Sequence, residues 1–431
     1  MPNDMNIKVH HLTRVEGHGD IVVEIRDGRL MEARFSIVEA PRLFEAFLRG
    51  LHYDEVTHIA PRICGICSVS HKSAALKATE AALGVEVSNQ TELLRRVAFH
   101  GELIGSHILH VYFLAAPDFF GVPSVIPLAE SQPEVVARAM RMIKLAYDLC
   151  EVIAGRHTHP VAMTVGGFRF IHSESKLRAM RRELEEGIAD LKATVQLFKT
   201  ISIPQFERET EFVSLHHPDH YALYDGDLCS SAGDAAEVAR YREIIQEYVV
   251  PFSTAKHARW HDRHYMVGAL ARVNNNFDQL NPIAKEAAHD LGLKVPCWNP
   301  FMNTVAQIVE CAHSIKESID LIDTILERGI RAEDEQVTVS VGAGRAVGAV
   351  EAPRGLLFHE YEYDNDGTCL AANHVIPTAQ NLANLEADLH KFVPLIVDGD
   401  KDSVTHQLEM LVRAYDPCIS CSTHILKVNS G

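Results

Sequence analysis

The feature that most constrains the fold is a pair of short cysteine motifs at opposite ends of the chain. Cys64 and Cys67 form one C-x-x-C motif, and Cys418 and Cys421 form the other. This spacing lets two thiolates face the same metal ion. Closing a loop of about 350 residues costs on the order of 5 kcal/mol, whereas metal binding by thiolates returns roughly 10 to 16 kcal/mol. A shared metal could therefore hold the two ends of the chain together.

Two plainer interpretations of the cysteine pairs have to be weighed. A thioredoxin-like redox pair is disfavoured because neither motif lies in a βαβ pattern. A structural zinc site stays open, since four sulfur ligands suit zinc or iron–sulfur as readily as another metal. The histidine and charged residues beside both pairs favour a reactive site. The remaining cysteines show no cluster spacing and are predicted to be small buried apolar residues: Cys150, Cys229, Cys297, Cys311 and Cys369.

Composition excludes several classes of protein. The 431 residues are 47% hydrophobic and 23% charged, which is typical of a chain with a sizeable core. The net charge of −17 has the wrong sign for binding nucleic acid through its phosphates. The longest apolar runs, such as 111–116, are far shorter than the roughly 20 residues of a membrane span. With no signal peptide at the start, the sequence predicts a cytoplasmic protein without a membrane span.

Hydrophobic periodicity predicts a mainly helical chain with small β elements near both ends, an α+β fold. Apolar residues at helical spacing follow Ser173, a candidate N-cap, as far as Phe198, and a second stripe from Ile308 stops at Gly329. Hairpins are predicted around Asp27-Gly28 and around 364–367. Further helices are predicted near 71–83, 91–116, 133–154, 281–291, 378–396 and 403–413. Without an internal repeat or a linker, one domain over residues 1–431 is the simplest organisation.

The segments around the cysteine pairs form a recognisable set. They are 62–67 with His71 and 416–424 at the cysteines, and 14–18, 41–45, 351–355 and 375–378 elsewhere. This set resembles the large, catalytic subunit of nickel–iron hydrogenases. Segments 265–269 and 272–276 are most similar to the soluble cytoplasmic group that exchanges electrons with pyridine nucleotides, the sulfhydrogenases. The resemblance implies the fold of that subunit, with a helical core and β hairpins near both ends.

The resemblance implies roles for the cysteines in the reversible cleavage of dihydrogen to protons and electrons. All four would bind nickel, and Cys67 and Cys421 would also bridge to an iron that carries cyanide and carbon monoxide. Cys64 and Cys418 would be terminal ligands. Heterolytic cleavage needs a Lewis-acidic metal pair and a nearby base, and the thiolate of Cys418 is the candidate base. Glu16 is the matched acceptor of the proton; without the resemblance it would be an ordinary surface residue of a β unit.

A second set of residues is implied to surround the metals. Arg354 and Pro353 match residues that lie over the bimetallic centre, where a guanidinium can donate to a cyanide nitrogen. Asp118 and Asp416 match carboxylates that hold this arginine in place. A solvated arginine, and a turn-forming aspartate before Pro417, are the alternatives.

A magnesium site is implied close to the metal pair. Glu45 and His424 match its ligands, with a main-chain carbonyl near His374 as a third. Seven residues, 425–431, follow His424, and family precursors are commonly trimmed after this histidine. The C-terminal extension is therefore predicted to be cleavable.

Two other patterns suggest function less directly. One face of a predicted helix carries His100, His107 and His110. These histidines would either form a hydrogen-bonded relay beside the site or, as is more common, be core residues whose hydrogen bonds are satisfied. Gly342, Gly344 and Gly348 suggest a dinucleotide loop. A G-x-G-x-x-G motif would need glycine where Val347 stands, and Pro353 would interrupt the following helix, so that reading is rejected.

The cysteines outside the two pairs cannot hold an iron–sulfur chain. Electrons must then leave through other subunits, and the resemblance implies an iron–sulfur small subunit with flavin- and nucleotide-binding subunits beyond it. The alternative is a noncatalytic scaffold subunit with a zinc site made by the four cysteines.

Overall fold

The computed structural model describes residues 5–27, 29–332 and 336–423. The α-helices are α1 (Phe44–Phe47), α2 (Tyr53–Ile59), α3 (Ser68–Leu83), α4 (Asn89–Leu109), α5 (Ala116–Phe119), α6 (Val125–Ser131), α7 (Pro133–Ala154), α8 (Glu174–Phe198), α9 (Tyr241–Ile244), α10 (Ala269–Asn276), α11 (Pro282–Asp290), α12 (Asn303–Arg328), α13 (Pro377–Ile396), α14 (Lys401–Ala414) and α15 (Ile419–Ser422). The mainly helical fold class is confirmed.

The strands are short and form small sheets around the helices. They are β1 (Met5–Val9), β2 (Gly19–Arg26), β3 (Arg29–Ile37), β4 (Met163–Thr164), β5 (Gly167–Phe168), β6 (Glu211–His216), β7 (Asp227–Ser230), β8 (Ala235–Ala236), β9 (Ile245–Tyr248), β10 (His257–Trp260), β11 (Tyr265–Met266), β12 (Gly344–Ala352), β13 (Gly355–Tyr363) and β14 (Cys369–Val375). The antiparallel pairings β2–β3 and β13–β14 confirm the two predicted hairpins.

The long helices follow the predicted periodicity, with differences at their ends. α8 begins after Ser173, but the Ser173 hydroxyl contacts Ser175 and does not cap the helix. α12 ends at Gly329, whose φ of 73° is in the left-handed region. The helix predicted over 91–116 is interrupted, because α4 passes into a π-helical turn, His110–Ala115, before α5. Pro117 in the first turn of α5 has no N–H to continue the α-helical pattern.

Two glycines of the glycine-rich run, Gly344 and Gly348, belong to a strand that was not predicted. β12 pairs with β13, which pairs with β14, and β12 packs on α3. A Cβ atom at Gly344 or Gly348 would overlap the backbone carbonyl oxygens of Ala82 and Ala74 in α3. These two glycines therefore let a strand lie directly on a helix backbone.

Further β structure lies in the middle of the chain, where none was predicted. The order of the four-stranded sheet is β11-β6-β7-β8, and β9 pairs with β10 separately. None of these strands is longer than six residues. An alternation of apolar and polar residues over so few positions is too weak to predict a strand. These strands add to the predicted β elements near both ends of the chain.

The two ends of the chain meet beside the helical core. A continuous apolar cluster runs through the described residues from Ile7 to Cys421. Glu16 and Cys418 form an isolated parallel bridge, in which the Ile419 amide donates to the Glu16 carbonyl oxygen at 2.9 Å. Among the described residues, no helix is both long and apolar enough to cross a bilayer. The fold thus places residues from both ends next to each other.

Candidate metal centre

The structure brings the four predicted cysteine ligands together. Cys64 follows a 3₁₀ turn, Ala60–Ile63, and Cys67 directly precedes α3. Cys418 precedes α15, and Cys421 lies within it. The Sγ atoms are 3.6 Å apart between Cys64 and Cys418, 3.8 Å between Cys67 and Cys421, and 2.7 Å between Cys418 and Cys421.

The cluster has the dimensions of a metal site. All four sulfur atoms lie within 4.8 Å of one another, and each cysteine is at most 5% exposed. Sulfur ligands at about 2.3 Å from a tetrahedral metal are about 3.8 Å apart. The separations of 3.6 and 3.8 Å between the two pairs match this value, whereas Cys418 and Cys421 lie closer together, at 2.7 Å. The donor set is therefore suited to a thiophilic metal such as nickel, and equally to zinc, in a site closed to bulk water.

Hydrogen bonds prepare one of the thiols for metal binding. The backbone N–H groups of Ile66 and Cys67 donate to Cys64 Sγ, each at 3.3 Å. Hydrogen bonds from the thiols of Cys418, Cys421 and Cys67 hold the pKa of Cys64 well below its ordinary value. Burial raises the pKa of Cys418 and Cys421 well above theirs. A bound cation would displace the protons that these thiols keep.

Glu16 lies where the resemblance implied. Its Oε2 atom is 3.2 Å from Cys418 Sγ and accepts a hydrogen bond from the Ser420 amide at 3.0 Å. The Ser420 hydroxyl contacts Glu16 and lies 3.1 Å from Glu39 Oε1. Glu39 in turn accepts from the amide of His18, which is exposed. These groups form a polar path from the sulfur cluster to the surface.

Arg354 faces the cysteines from the turn between β12 and β13. Its Nε atom donates to the carbonyl oxygen of Asp416 at 2.9 Å and to its Oδ1 at 3.1 Å. Burial opposes the charge of Arg354, but Asp416 and the cysteines Cys418, Cys67 and Cys64 hold its pKa well above the ordinary value. Asp416 therefore holds this arginine, as predicted.

One atom of Arg354 has room for a further acceptor. Nη2 is buried and makes no hydrogen bond within the part of the chain that the structure describes, although it lies 3.0 Å from Asp416 Oδ1. A metal-bound ligand with a lone pair, such as cyanide, would satisfy this donor. The residues present thus fit the predicted group.

Pro353 shares the turn with Arg354 and is held by a network that the sequence did not reveal. Arg272 donates to the carbonyl oxygens of Ala352 at 2.9 Å and Pro353 at 3.1 Å. The same guanidinium pairs with Glu310 and Glu351, and all three side chains are fully buried. Arg272 lies on α10, more than 70 residues before the turn, so no local spacing could indicate the contact.

The role predicted for Asp118 was wrong. Arg413 donates to its Oδ2 at 2.7 Å through Nε and to its Oδ1 at 2.9 Å through Nη2, and Arg14 also contacts Oδ1. Asp118 therefore holds these two arginines, whereas Asp416 holds Arg354. The π-helical turn before α5 places Asp118 beside the end of α14 and the N-terminal segment.

The predicted magnesium ligands are only partly described. Glu45 Oε1 accepts a hydrogen bond from the His374 amide at 2.9 Å. Burial raises the pKa of Glu45 to about 7, although the positive charge of Lys256 acts in the opposite direction. His424 and residues 425–431 lie outside the described residues. The magnesium site and the cleavable extension stay predictions.

The three histidines of α4 and its π-helical turn contact α12. His100 contacts Ser314 at 3.1 Å, His107 contacts Glu310 at 2.7 Å and His110 contacts Gln307 at 2.6 Å. These buried, hydrogen-bonded rings match the core interpretation.

Of the cysteines outside the cluster, Cys150, Cys311 and Cys369 are buried as predicted, but Cys229 and Cys297 are partly exposed.

Sequence and structure comparisons agree on a family. Residues 42–144 and 212–424 match a family model described as nickel-dependent hydrogenase, and residues 6–40 match one described as HoxL-like. The alpha subunit of sulfhydrogenase 1 from Pyrococcus furiosus is 34% identical over 425 residues, which cover 98% of each chain. The alpha subunit of sulfhydrogenase 2 from the same organism is 32% identical over 98% of this chain and 100% of its own.

A solved structure is similar over the same extent. The H2-reduced form of an NAD+-reducing NiFe hydrogenase superposes with a TM-score of 0.87 at 29% identity, covering 98% of this chain and 100% of the other. Fold and site together define a class of metal-dependent enzyme, with four cysteines from both ends of the chain placed where they could hold a metal ion. The chain belongs to the nickel-dependent hydrogenase family of oxidoreductases, in which it is similar to large, or alpha, subunits.

Proposed function

We propose that this chain is the subunit that cleaves dihydrogen reversibly into protons and electrons at a nickel–iron centre. The observation that carries the proposal is the sulfur cluster of Cys64, Cys67, Cys418 and Cys421, with Glu16 Oε2 at 3.2 Å from Cys418 Sγ. A zinc scaffold would need the four sulfur atoms alone. A carboxylate in contact with one of them adds a place for a proton to go.

The chain's own residues supply the proton chemistry. When bound, a Lewis-acidic metal pair would polarise dihydrogen. Cys418 Sγ holds the released proton and passes it to Glu16 Oε2, from which the Ser420 hydroxyl and Glu39 lead outwards. Arg354 keeps a positive charge beside the thiolates, and burial of the cysteines excludes water.

The remaining ligand assignments are proposed on the same basis. Cys67 and Cys421 would hold, beside the nickel, an iron that carries cyanide and carbon monoxide, and Arg354 Nη2 would supply a hydrogen-bond donor to a cyanide. Magnesium would be held by Glu45, His424 and a main-chain carbonyl near His374, and the contact between Glu45 and the His374 amide supports this site.

Electrons leave through partner subunits in this proposal. The relatives named as alpha subunits support an iron–sulfur small subunit, and the NAD+-reducing relative supports flavin- and nucleotide-binding subunits with NAD(P) as the final acceptor. A nucleotide acceptor would place the complex in the cytoplasm. Gly65, between the first two cysteines, is exposed, so an acceptor docked there would reach the thiolates without opening the core.

Metal analysis of the purified complex, with dye reduction under hydrogen, tests the proposal. We expect nickel and iron in near equal amounts and hydrogen-dependent reduction of a viologen dye. Cys418→Ser should abolish the reduction, whereas Cys229→Ser, outside the cluster, should retain it. Zinc alone, with no hydrogen-dependent reduction by the wild-type complex, would contradict the proposal and favour the scaffold.

A further inference from the structure

A single buried carboxylate joins the two segments between which the proton is transferred. The side chain of Asp118 is 2% exposed and binds Arg413 through both of its oxygens. Arg14 contacts the same carboxylate at Oδ1, an oxygen that Arg413 also binds. Arg14 lies two residues before Glu16, and Arg413 lies five residues before Cys418. Asp118 thus connects the segment that carries the proton acceptor with the segment that carries the thiol.

Both arginines also bind backbone, so the connection fixes main-chain positions. Arg413 Nη1 donates to the carbonyl oxygen of Thr13 at 3.1 Å, and Arg14 Nη1 donates to that of Leu114 at 2.7 Å. A guanidinium donates through several N–H groups in a rigid plane. We call Asp118, Arg14 and Arg413 the arginine clamp.

The distance that the clamp would control is short. Glu16 and Cys418 are bridged by one backbone hydrogen bond, from the Ile419 amide, and their side chains are 3.2 Å apart. A hydrogen bond weakens steeply when its atoms separate or tilt. Misplacement of reacting groups by about 1 Å can cost about a hundredfold in rate. The Ser420 amide and hydroxyl also donate to the Glu16 carboxylate, so the hydrogen bonds described between the two segments at this point are confined to residues 16 and 418–420. The clamp adds a second point of attachment, at residues 13–14 and 413, that restrains movement of one segment against the other.

We propose that Asp118 is a positioning residue that, through Arg14 and Arg413, holds Glu16 against Cys418 for proton transfer. The inference rests on the proposed function, because it assigns a purpose to the contact between these two groups. No contact of Asp118 with a cysteine is part of it.

The test compares Asp118→Asn and Arg14→Gln in the assembled, metal-loaded complex. With nickel content near that of wild type, we expect kcat for hydrogen oxidation to fall at least tenfold with little change in KM. The solvent deuterium isotope effect should rise, because proton transfer becomes rate-limiting. Amide hydrogen exchange at Ile419 should become faster. Arg14→Gln keeps the ion pair between Asp118 and Arg413, so this variant still tests the proposal if Asp118→Asn does not fold.

Glu80→Gln is the matched control. Glu80 is also a buried carboxylate bound through both oxygens by one arginine, Arg95, at 2.8 and 2.6 Å, but it does not belong to the clamp. It should leave the isotope effect and the Ile419 exchange unchanged.

Two results would overturn the inference. One is an unchanged kcat and isotope effect in Arg14→Gln. The other is a loss of activity in proportion to the loss of nickel, with the isotope effect unchanged. That result would show that the clamp serves folding and has no part in proton transfer. A wild-type complex without hydrogen-dependent activity would instead refute the proposed function, and Ile419 exchange would still report whether the clamp holds the two segments.

Discussion

At the scale of single residues, Glu16 lies between the thiol of Cys418 and the polar groups that lead towards solvent. Glu16→Gln keeps the size of the side chain and an oxygen that can accept from the Ser420 amide. The amide cannot take up a proton, so we expect hydrogen-dependent dye reduction to fall by roughly 10² to 10⁴ with the nickel content unchanged. Nickel analysis and dye reduction by the same preparation measure both.

Glu32→Gln is the control for this change, because Glu32 is a partly exposed carboxylate of β3 that pairs with Arg34. It should retain activity. Full activity in Glu16→Gln would show that the proton leaves Cys418 by another route.

Sequence reasoning at this scale succeeded where a residue belongs to a motif. The four cysteines, Glu16 and the pairing of Arg354 with Asp416 were predicted from the segments that contain them. Sequence reasoning failed where the tertiary fold decides which side chain a charged residue contacts. Asp118 was assigned to the wrong arginine, and Arg272 and Glu39 were missed, because a lone charged residue carries no spacing that indicates its partner.

The contact of β12 with α3 is the clearest prediction at the scale of elements. Gly348→Ala would place a methyl group against the Ala74 carbonyl oxygen, which is backbone and cannot rotate away. Overpacking of this kind costs about 1 to 3 kcal/mol. We expect a lower melting temperature, measured by calorimetry, and less bound nickel, because α3 begins directly after Cys67.

Gly342→Ala is the control, since a Cβ atom there has no neighbour within 4 Å among the described residues. If both substitutions have equal effects, close packing on α3 is not the reason for the glycine at 348.

The interface of α4 with α12 predicts a dependence of stability on pH. Burial lowers the pKa of His313 on α12 from 6.5 to about 4, and that of His100 on α4 well below 6.5. Both rings are neutral in the folded protein, whereas in the unfolded chain they take up protons below about pH 6.5. The free energy of unfolding should therefore fall as the pH drops from 6.5 towards 4, by up to about 1.4 kcal/mol per pH unit for each proton.

His313→Gln should reduce this slope in melting temperatures measured between pH 4 and pH 7. The exposed His289 of α11 is the matched position, and His289→Gln should leave the slope unchanged. A slope that is the same in His313→Gln and wild type would contradict the assignment.

Elements with long periodic patterns were predicted within a few residues. α7 was predicted with its observed bounds, and α12 and both hairpins were recognised. The π-helical turn was missed because its sequence continues the helical pattern of α4. β12 was missed because its sequence does not alternate apolar with polar residues and contains two glycines, which are uncommon in strands.

At the scale of the whole molecule, metal binding should stabilise the chain as a unit, because its ligands join segments from both ends. Ligand in thousandfold excess over its Kd stabilises a folded state by about 4 kcal/mol. The complex from nickel-fed cells should melt at a higher temperature than that from nickel-starved cells.

Cys418→Ser should abolish this difference, while Cys229→Ser should preserve it. Equal melting temperatures in wild-type preparations that differ in nickel content would show that the metal does not tie the ends together.

The placement of the second cysteine pair also orders events during synthesis. A ribosome releases the segment with Cys64 and Cys67 long before Cys418 and Cys421 are translated. A nascent chain therefore offers at most two of the four sulfur atoms to any metal it encounters, and such a half-site holds an ion weakly. Loading of the complete centre must wait until Cys421 has been translated, so the metal is selected only after more than 350 residues have followed the first cysteine pair.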